Sequence, residues 1–356
     1  MQYEFSVTIT SEPKKKPEPE ELEFGTVFTD HMFIMDYNDE EGWHDGRVVP
    51  YAPLEIDPAA ICLNYGQSMF EGLKAYKTEN GKVQLFRPYM NAARTNKTND
   101  RLCIPKIDDD LFVDAIKALV RIDQAWIPEG EGNSLYIRPI IFGDEPYLGV
   151  RRSKTYKFVI IMSPVGSYYK NGMKPTKTYV EDTYARAFPG GTGEAKYGGN
   201  YGGSLKAQEL ATERGFDQVL WLDAAEKKYI EEIGSANIFF VIGDELVTSD
   251  LNGSILPGIT RDSVIALCKK NGMNVSERRI SIDEVVKAQK SGKLKEAFAT
   301  GTASIISPVG QLFYNGESYI INNKEIGTVA QNMYDTIRGI QTGKIADYMG
   351  WTVQVE

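Results

Sequence analysis

Residues 190–203 hold seven glycines around a single lysine, Lys196. Glycine at that density lets a backbone take positive φ and come close to a bound molecule. The spacing matches neither a Walker A loop nor a strand-first G-x-G-x-x-G, which argues against a nucleotide cradle. A flexible linker carrying a solvated lysine is the plain alternative. Against it, residues 204–214 follow at once with helical spacing of Leu205, Leu210 and Ala211, and Gly215 is placed to end that helix. A lysine held among close-packed glycines is desolvated and loses basicity, and its neutral amine can then attack an aldehyde or carbonyl carbon.

Three further groups carry possible chemistry. Leu256, Pro257, Gly258, Ile259, Thr260 and Arg261 stand immediately before a helical pattern. A glycine turn feeding a helix N-terminus aims backbone N–H groups and the positive dipole end at one point, which suits a single phosphate. Thr260 would add a hydroxyl, and serves equally well as a simple N-cap. Residues 299–304 read as a small polar turn after the strand-like 296–298, able to offer hydroxyls and N–H groups to an oxyanion or to be a plain turn. Glu231 and Glu232 are adjacent in an apolar stretch. In a strand they point to opposite faces, so one can be solvated while the other turns inward and needs a partner, such as a protonated pyridine nitrogen.

The elements that must position these groups are helices and strands interspersed along the chain, which predicts an α/β or α+β fold. Apolar runs predict strands at 32–35, 83–86, 135–142 and 158–162, the third with an internal Pro139 that suggests an edge or a bulge. Helices are expected at 88–102 and near 110–120, the latter capped by Asp109 or Asp110 and burying Phe112, Ile116, Leu119 and Val120. In the second half helices are expected at 260–270, at 282–290 behind the capping box of Ser281 and Glu284, and at 326–340. Glycine and proline enrichment sets a boundary, giving an extended or disordered arm at 1–23, a small domain at 24–167, a linker at 168–190 and a larger domain at 191–356.

Composition excludes several classes. With 356 residues, 42% hydrophobic and 25% charged, the chain is long enough for two cores. A net charge of -9 argues against nucleic acid or an anionic membrane as partner. No apolar run reaches the roughly 20 residues of a membrane span, and the cytoplasm is the expected location. Two histidines and three scattered cysteines exclude a disulfide framework and leave little from which to build a metal site or a Ser-His-Asp triad. The cysteines are expected to be reduced core residues.

An amine for Schiff-base chemistry, an inward glutamate and a helix-terminus phosphate site are the parts that a pyridoxal 5'-phosphate enzyme requires. On these residues the sequence resembles the branched-chain amino-acid aminotransferases of the fold type IV pyridoxal-phosphate family, from Phe24 onward. The resemblance implies a two-domain architecture with the cofactor between a smaller N-terminal and a larger C-terminal domain. It makes Lys196 the Schiff-base lysine, places Tyr201 near the cofactor's phenolic oxygen, and sets Glu232 opposite the pyridine nitrogen with Ser235 beside the ring. Arg94, Ile259, Thr260 and Thr300 would hold the phosphate, and Thr302 and Ala303 the substrate carboxylate. The side-chain pocket would comprise Phe24, Tyr65, Phe70, Tyr136, Arg138 and Tyr168, with Val150 delivered by the partner subunit of a homodimer. The implied substrates are leucine, isoleucine and valine, their 2-oxo acids, and glutamate with 2-oxoglutarate; no metal is expected. The alternatives are another fold type IV enzyme, namely a D-amino-acid or amine transaminase or an aminodeoxychorismate-lyase-like enzyme, or a non-catalytic cofactor-binding protein. Mammalian relatives carry a redox-active cysteine pair where Ser304 and Ser307 stand here, which excludes thiol regulation at those positions.

Overall fold

A computed structural model describes residues 3–18, 21–130, 132–168 and 172–355. The chain divides into two compact units, one formed by residues 1–170, 195–198 and 339–356, the other by 171–194 and 199–338. Among the described residues each unit holds one nine-stranded sheet. The fold is thus a mixed α/β arrangement, as the interspersed pattern implied.

The first unit contains strands β1 (Ser6–Val7), β2 (His31–Asn38), β3 (Gly42–Pro50), β4 (Ser68–Phe70), β5 (Leu73–Lys77), β6 (Val83–Phe86), β7 (Ser134–Gly143) and β8 (Thr155–Val165), with helices α1 (Ile61–Tyr65), α2 (Pro88–Leu102) and α3 (Asp109–Ile122). The sheet runs β1-β3-β2-β8-β7-β5-β6 and closes with the strand Thr352–Val355, while β4 lies beside β7. α3 buries Phe112, Ile116, Leu119 and Val120 completely, and Phe112 stacks on Phe158 of β8 with ring centroids 5.6 Å apart. Its N-cap is Asp108 rather than Asp109 or Asp110. Asp108 keeps an extended backbone, and its carboxylate accepts from the N–H groups of Asp110 and Leu111 at 3.0 and 3.1 Å.

Pro139 lies inside β7, not on an edge, because β8 pairs along the whole strand. On its other side β5 pairs with residues 135–137 and β4 with 140–142, so the missing N–H falls where one neighbour gives way to the next. Over its described residues the N-terminal arm is extended, and much of that part is pinned. β1 runs parallel to β3, the Thr10 N–H donates to His31 Nε2 at 3.0 Å, the Lys14 N–H donates to Asp30 Oδ1 at 2.8 Å, and Leu22 is buried.

The second unit contains β9 (Thr176–Glu181), β10 (Gln218–Leu222), β11 (Ile230–Ile233), β12 (Asn237–Ile242), β13 (Glu245–Thr248), β14 (Asn274–Glu277), β15 (Leu294–Gly301), β16 (Ile305–Tyr314) and β17 (Glu317–Ile320). Its sheet order is β11-β10-β9-β16-β15-β12-β13-β14, with β17 beside β16. α4 (Gly198–Gly202) and α5 (Leu205–Glu213) follow the glycine-rich loop, and α6 (Ile259–Lys270), α7 (Ile282–Lys290) and α8 (Thr328–Thr342) come later. The Ser281 hydroxyl accepts from the Glu284 N–H at 3.1 Å, the cap that the sequence pattern signalled.

Two expectations on boundaries need correction. The stretch 168–190 is not only a linker, because β9 lies within it and pairs in parallel with both β10 and β16. Its threonines and valine suit a half-buried pleat, a signal masked by the glycines and prolines before it. Nor does 191–356 form one body. Residues 195–198 return to the first unit, and so does the strand Thr352–Val355, whose backbone completes the β6 ladder.

Candidate active site

In the first unit Lys196 is held by backbone contacts to two elements. The Phe70 N–H donates to the Lys196 carbonyl at 3.1 Å, and the Lys196 N–H donates to Thr98 Oγ1 of α2 at 3.0 Å. The amine lies over the Phe70 ring, 4.8 Å from its centroid. Burial is the main reason that its pKa falls to about 8, with Arg94 pushing the same way and Glu71 pushing back. About a tenth of such a lysine is neutral at pH 7, against roughly one part in three thousand for an unperturbed one.

Glu71 lies between β4 and β5, wholly buried. It accepts from Arg94 Nε at 2.7 Å and Nη2 at 2.9 Å, and from Asn91 Nδ2 at 2.8 Å. Burial alone would raise its carboxyl, but the charge and hydrogen bonds of Arg94, with Lys196 and Asn91, outweigh that and hold it below the usual range. Around this cluster Arg138 donates from Nη2 to the Tyr136 hydroxyl at 2.9 Å and packs on the Phe70 ring at 5.0 Å. Phe24 meets Tyr136 edge to face at 4.8 Å. Arg138 Nε is buried with no hydrogen-bond partner, and among the described residues no carboxylate pairs with Arg138.

The remaining pocket candidates of this unit stand apart from these contacts. Tyr65, on α1, donates its hydroxyl to the Leu148 carbonyl, tying α1 to the loop that carries Val150. Val150 is 84% exposed and Tyr168 is exposed as well.

In the second unit the decisive strand is β11. Glu232 accepts from the Leu256 N–H on Oε1 at 2.6 Å and faces Arg186 Nε on Oε2 at 3.0 Å. Arg186 also donates from Nη1 to the carbonyl oxygens of Ser254 and Gly193 at 3.1 and 3.4 Å. Glu231 is not solvated, contrary to the alternation argument. Residues 252–256 cover both faces of β11, and the Ser254 hydroxyl donates to Glu231. Burial raises the Glu231 carboxyl accordingly.

The 256–260 turn is built as a close approach. A Cβ on Gly258 would lie 2.0 Å from Asn237 Oδ1, and Asn237 Nδ2 donates to the Leu256 carbonyl at 2.9 Å. Asn237 is also the register partner of Thr300. Gly258 is the N-cap of α6, so Ile259 and Thr260 are its first two helical residues and the reading of Thr260 as a cap is removed. Thr300 lies on β15 rather than in a turn, and its buried hydroxyl has no partner among the described residues. Thr302 and Ala303 form the tight connection from β15 to β16, Ser235 that from β11 to β12, and Tyr201 lies on α4.

A family model described as Amino-transferase class IV matches residues 68–312. The chain belongs to the class IV aminotransferases. Branched-chain-amino-acid aminotransferase 2 of Bacillus subtilis is 60% identical over 349 residues, covering 98% of this chain and 96% of that protein. Branched-chain-amino-acid transaminase 1 of the same organism is 51% identical, covering 96% of each. The Escherichia coli branched-chain amino acid aminotransferase crystal structure matches with a TM-score of 0.76 at 27% identity, covering 92% of this chain and 99% of that one. The crystal structure of the T.th. branched-chain amino acid aminotransferase with pyridoxamine 5'-phosphate matches with a TM-score of 0.74 at 28% identity, covering 91% and 98%.

This aminotransferase has residues that fit the family's cofactor, pyridoxal 5'-phosphate. In the second unit the N-terminal turn of α6 and the orphaned Thr300 hydroxyl together suit a phosphate oxygen. Lys196 is buried, with Thr98 of α2 on its backbone and Phe70 of β4 beneath its amine. Of the seven glycines only Gly190 has positive φ; Gly193 is required because a Cβ there would lie 2.1 Å from the Ser254 carbonyl oxygen. Sequence reasoning missed Glu71 and Arg186. Glu71 had the same signal as Glu232, a carboxylate in an apolar run, while Arg186 had none. Cys268 is buried as expected, but Cys103 is exposed at the C-cap of α2 with φ of 55°.

Proposed function

We propose that this aminotransferase moves the amino group between L-leucine, L-isoleucine or L-valine and 2-oxoglutarate. The state of Lys196 carries the reading: an amine whose pKa is near 8, with Phe70, Tyr136 and Arg138 as neighbours. Two relatives named for branched-chain amino acids, with nearly full-length coverage, support the substrate class.

Bound pyridoxal phosphate supplies an electron-withdrawing ring that makes the substrate Cα proton acidic. Lys196 removes that proton and returns it as general base and acid, a role that suits a pKa near the operating pH. Glu232 is assigned to the ring nitrogen and Tyr201 to the phenolic oxygen, with Ser235 beside the ring. Arg94, the backbone of Ile259 and Thr260, and Thr300 hold the phosphate. Thr302 and Ala303 receive the substrate α-carboxylate. Phe24, Tyr65, Phe70, Tyr136 and Tyr168 form the apolar wall, and Arg138 meets the γ-carboxylate of glutamate. Val150 closes the pocket of a second copy in a homodimer, which its exposure supports. Among the described residues no helix is long and apolar enough to cross a membrane; a cytoplasmic location is part of the proposal.

The test is to feed L-leucine, D-alanine and an aromatic amine in parallel and to identify the oxo products. Turnover of L-leucine with 2-oxoglutarate is expected; preference for either other donor replaces this reading with its stereochemical or amine alternative.

A further inference from the structure

Glu71 has no role in the steps assigned to Lys196. Its carboxylate grips Arg94 in a fork through Nε and Nη2, and it also accepts the Gly72 N–H at 3.0 Å. The residues on either side of this fork hold Lys196. Phe70, next to Glu71, donates to the Lys196 carbonyl; Thr98, one helical turn beyond Arg94, accepts the Lys196 N–H. Carboxylate and guanidinium are therefore fixed at one strand end and one helix, and the same two elements hold the backbone of Lys196, whose amine lies over Phe70. In such a buried place each charge acts strongly on the other two. A fork on the Nε edge also turns the Nη1 edge of Arg94 away from Glu71.

We propose that Glu71 is a positioning residue that holds Arg94 by its Nε edge and balances the charge of Arg94 at Lys196. The direction is clear from the signs: Arg94 makes Lys196 less basic and Glu71 makes it more so. The proposal rests on Lys196 being the reacting amine, so its test reads the amine and not turnover.

Full-length protein freed of cofactor is labelled with acetic anhydride across pH 6–11, and modification of the Lys196 peptide is followed by mass spectrometry. Glu71→Gln is expected to move the labelling midpoint down by about one pH unit, and Arg94→Gln to move it up. Glu71→Asp, which keeps the charge, restores the midpoint toward wild type. A loss of packing alone would not give opposite signs for the two variants. Where Glu71→Gln fails to fold because Arg94 loses its carboxylate, the double variant Glu71→Gln/Arg94→Gln is compared with Arg94→Gln. The double variant's midpoint is expected to be the lower of the two. Equal midpoints, or shifts of the same sign in folded single variants, overturn the proposal. A Lys196 that titrates as described in a protein without transaminase activity would instead overturn the functional reading alone.

Discussion

Glu232 and Arg186 face each other at 3.0 Å, carboxylate oxygen to guanidinium Nε, with side chains 2% and 4% exposed. The same guanidinium reaches the carbonyls of Gly193 and Ser254, so one cation fastens β11 to two loops. Removing it takes the counter-charge from a buried carboxylate. Arg186→Met is expected to destabilise the protein by about 3–5 kcal/mol, read by urea unfolding. Arg186→Lys, a point charge without the fork, should recover only part of that loss. A wild-type urea midpoint for Arg186→Met would show that Glu232 is satisfied without it.

Arg138 is proposed as the cation that meets glutamate. Its Nε has no partner and no carboxylate pairs with it among the described residues, so a structural ion pair is not its role. Arg138→Met is expected to lower kcat/KM for glutamate and 2-oxoglutarate by roughly a hundredfold, a charge pair of about 2–3 kcal/mol, with leucine far less affected. Equal losses for both substrates would place the γ-carboxylate elsewhere.

Thr300→Val separates stability from binding. The hydroxyl is buried without a partner, so replacing it by a methyl group should stabilise the cofactor-free protein by about 1 kcal/mol. The same change should weaken pyridoxal phosphate binding about tenfold, measured by absorbance titration. If stability and affinity fall together, Thr300 is part of the packing.

The low pKa of Lys196 sets a pH window. Between about 8 and the ordinary value of 10.5 the unfolded chain holds a proton that the folded protein has released, so this group makes stability rise with pH across that interval. Below pH 8 the folded protein bears the full cost of a desolvated ammonium. Lys196→Met should therefore exceed cofactor-free wild type in urea midpoint most at pH 7, with the margin closing toward pH 10.5. The variant should also lose transamination entirely. A margin constant with pH would mean that the amine is not desolvated.

How far these features were legible depended on whether the determining contact was local. The face of α3 and the Ser281 cap are set within a few residues and could be read directly. Pro139 could not, because its tolerance depends on where β4 hands over to β5, two strands remote in sequence. Thr260 was ambiguous because only the backbone angles of Gly258 decide which residue caps α6. Glu231 misled for a related reason: alternation gives the face of a side chain, but a covering loop decides whether that face is wet. The lysine was singled out from its glycines, yet the charges that act on its amine are those of Arg94 and Glu71, whose pairing across 23 positions leaves no periodic trace.

The strand Thr352–Val355 has a consequence for biosynthesis. Its partner β6 emerges from the ribosome long before it, and at ordinary elongation rates the interval is on the order of tens of seconds. Throughout that time the nascent chain carries an open strand edge at residues 83–86, which is a template for pairing with another chain. A polypeptide stopped at residue 338 would keep that edge permanently. Completion of the first unit therefore waits on residues 352–355, and termination before them should yield aggregates in place of a shortened soluble protein.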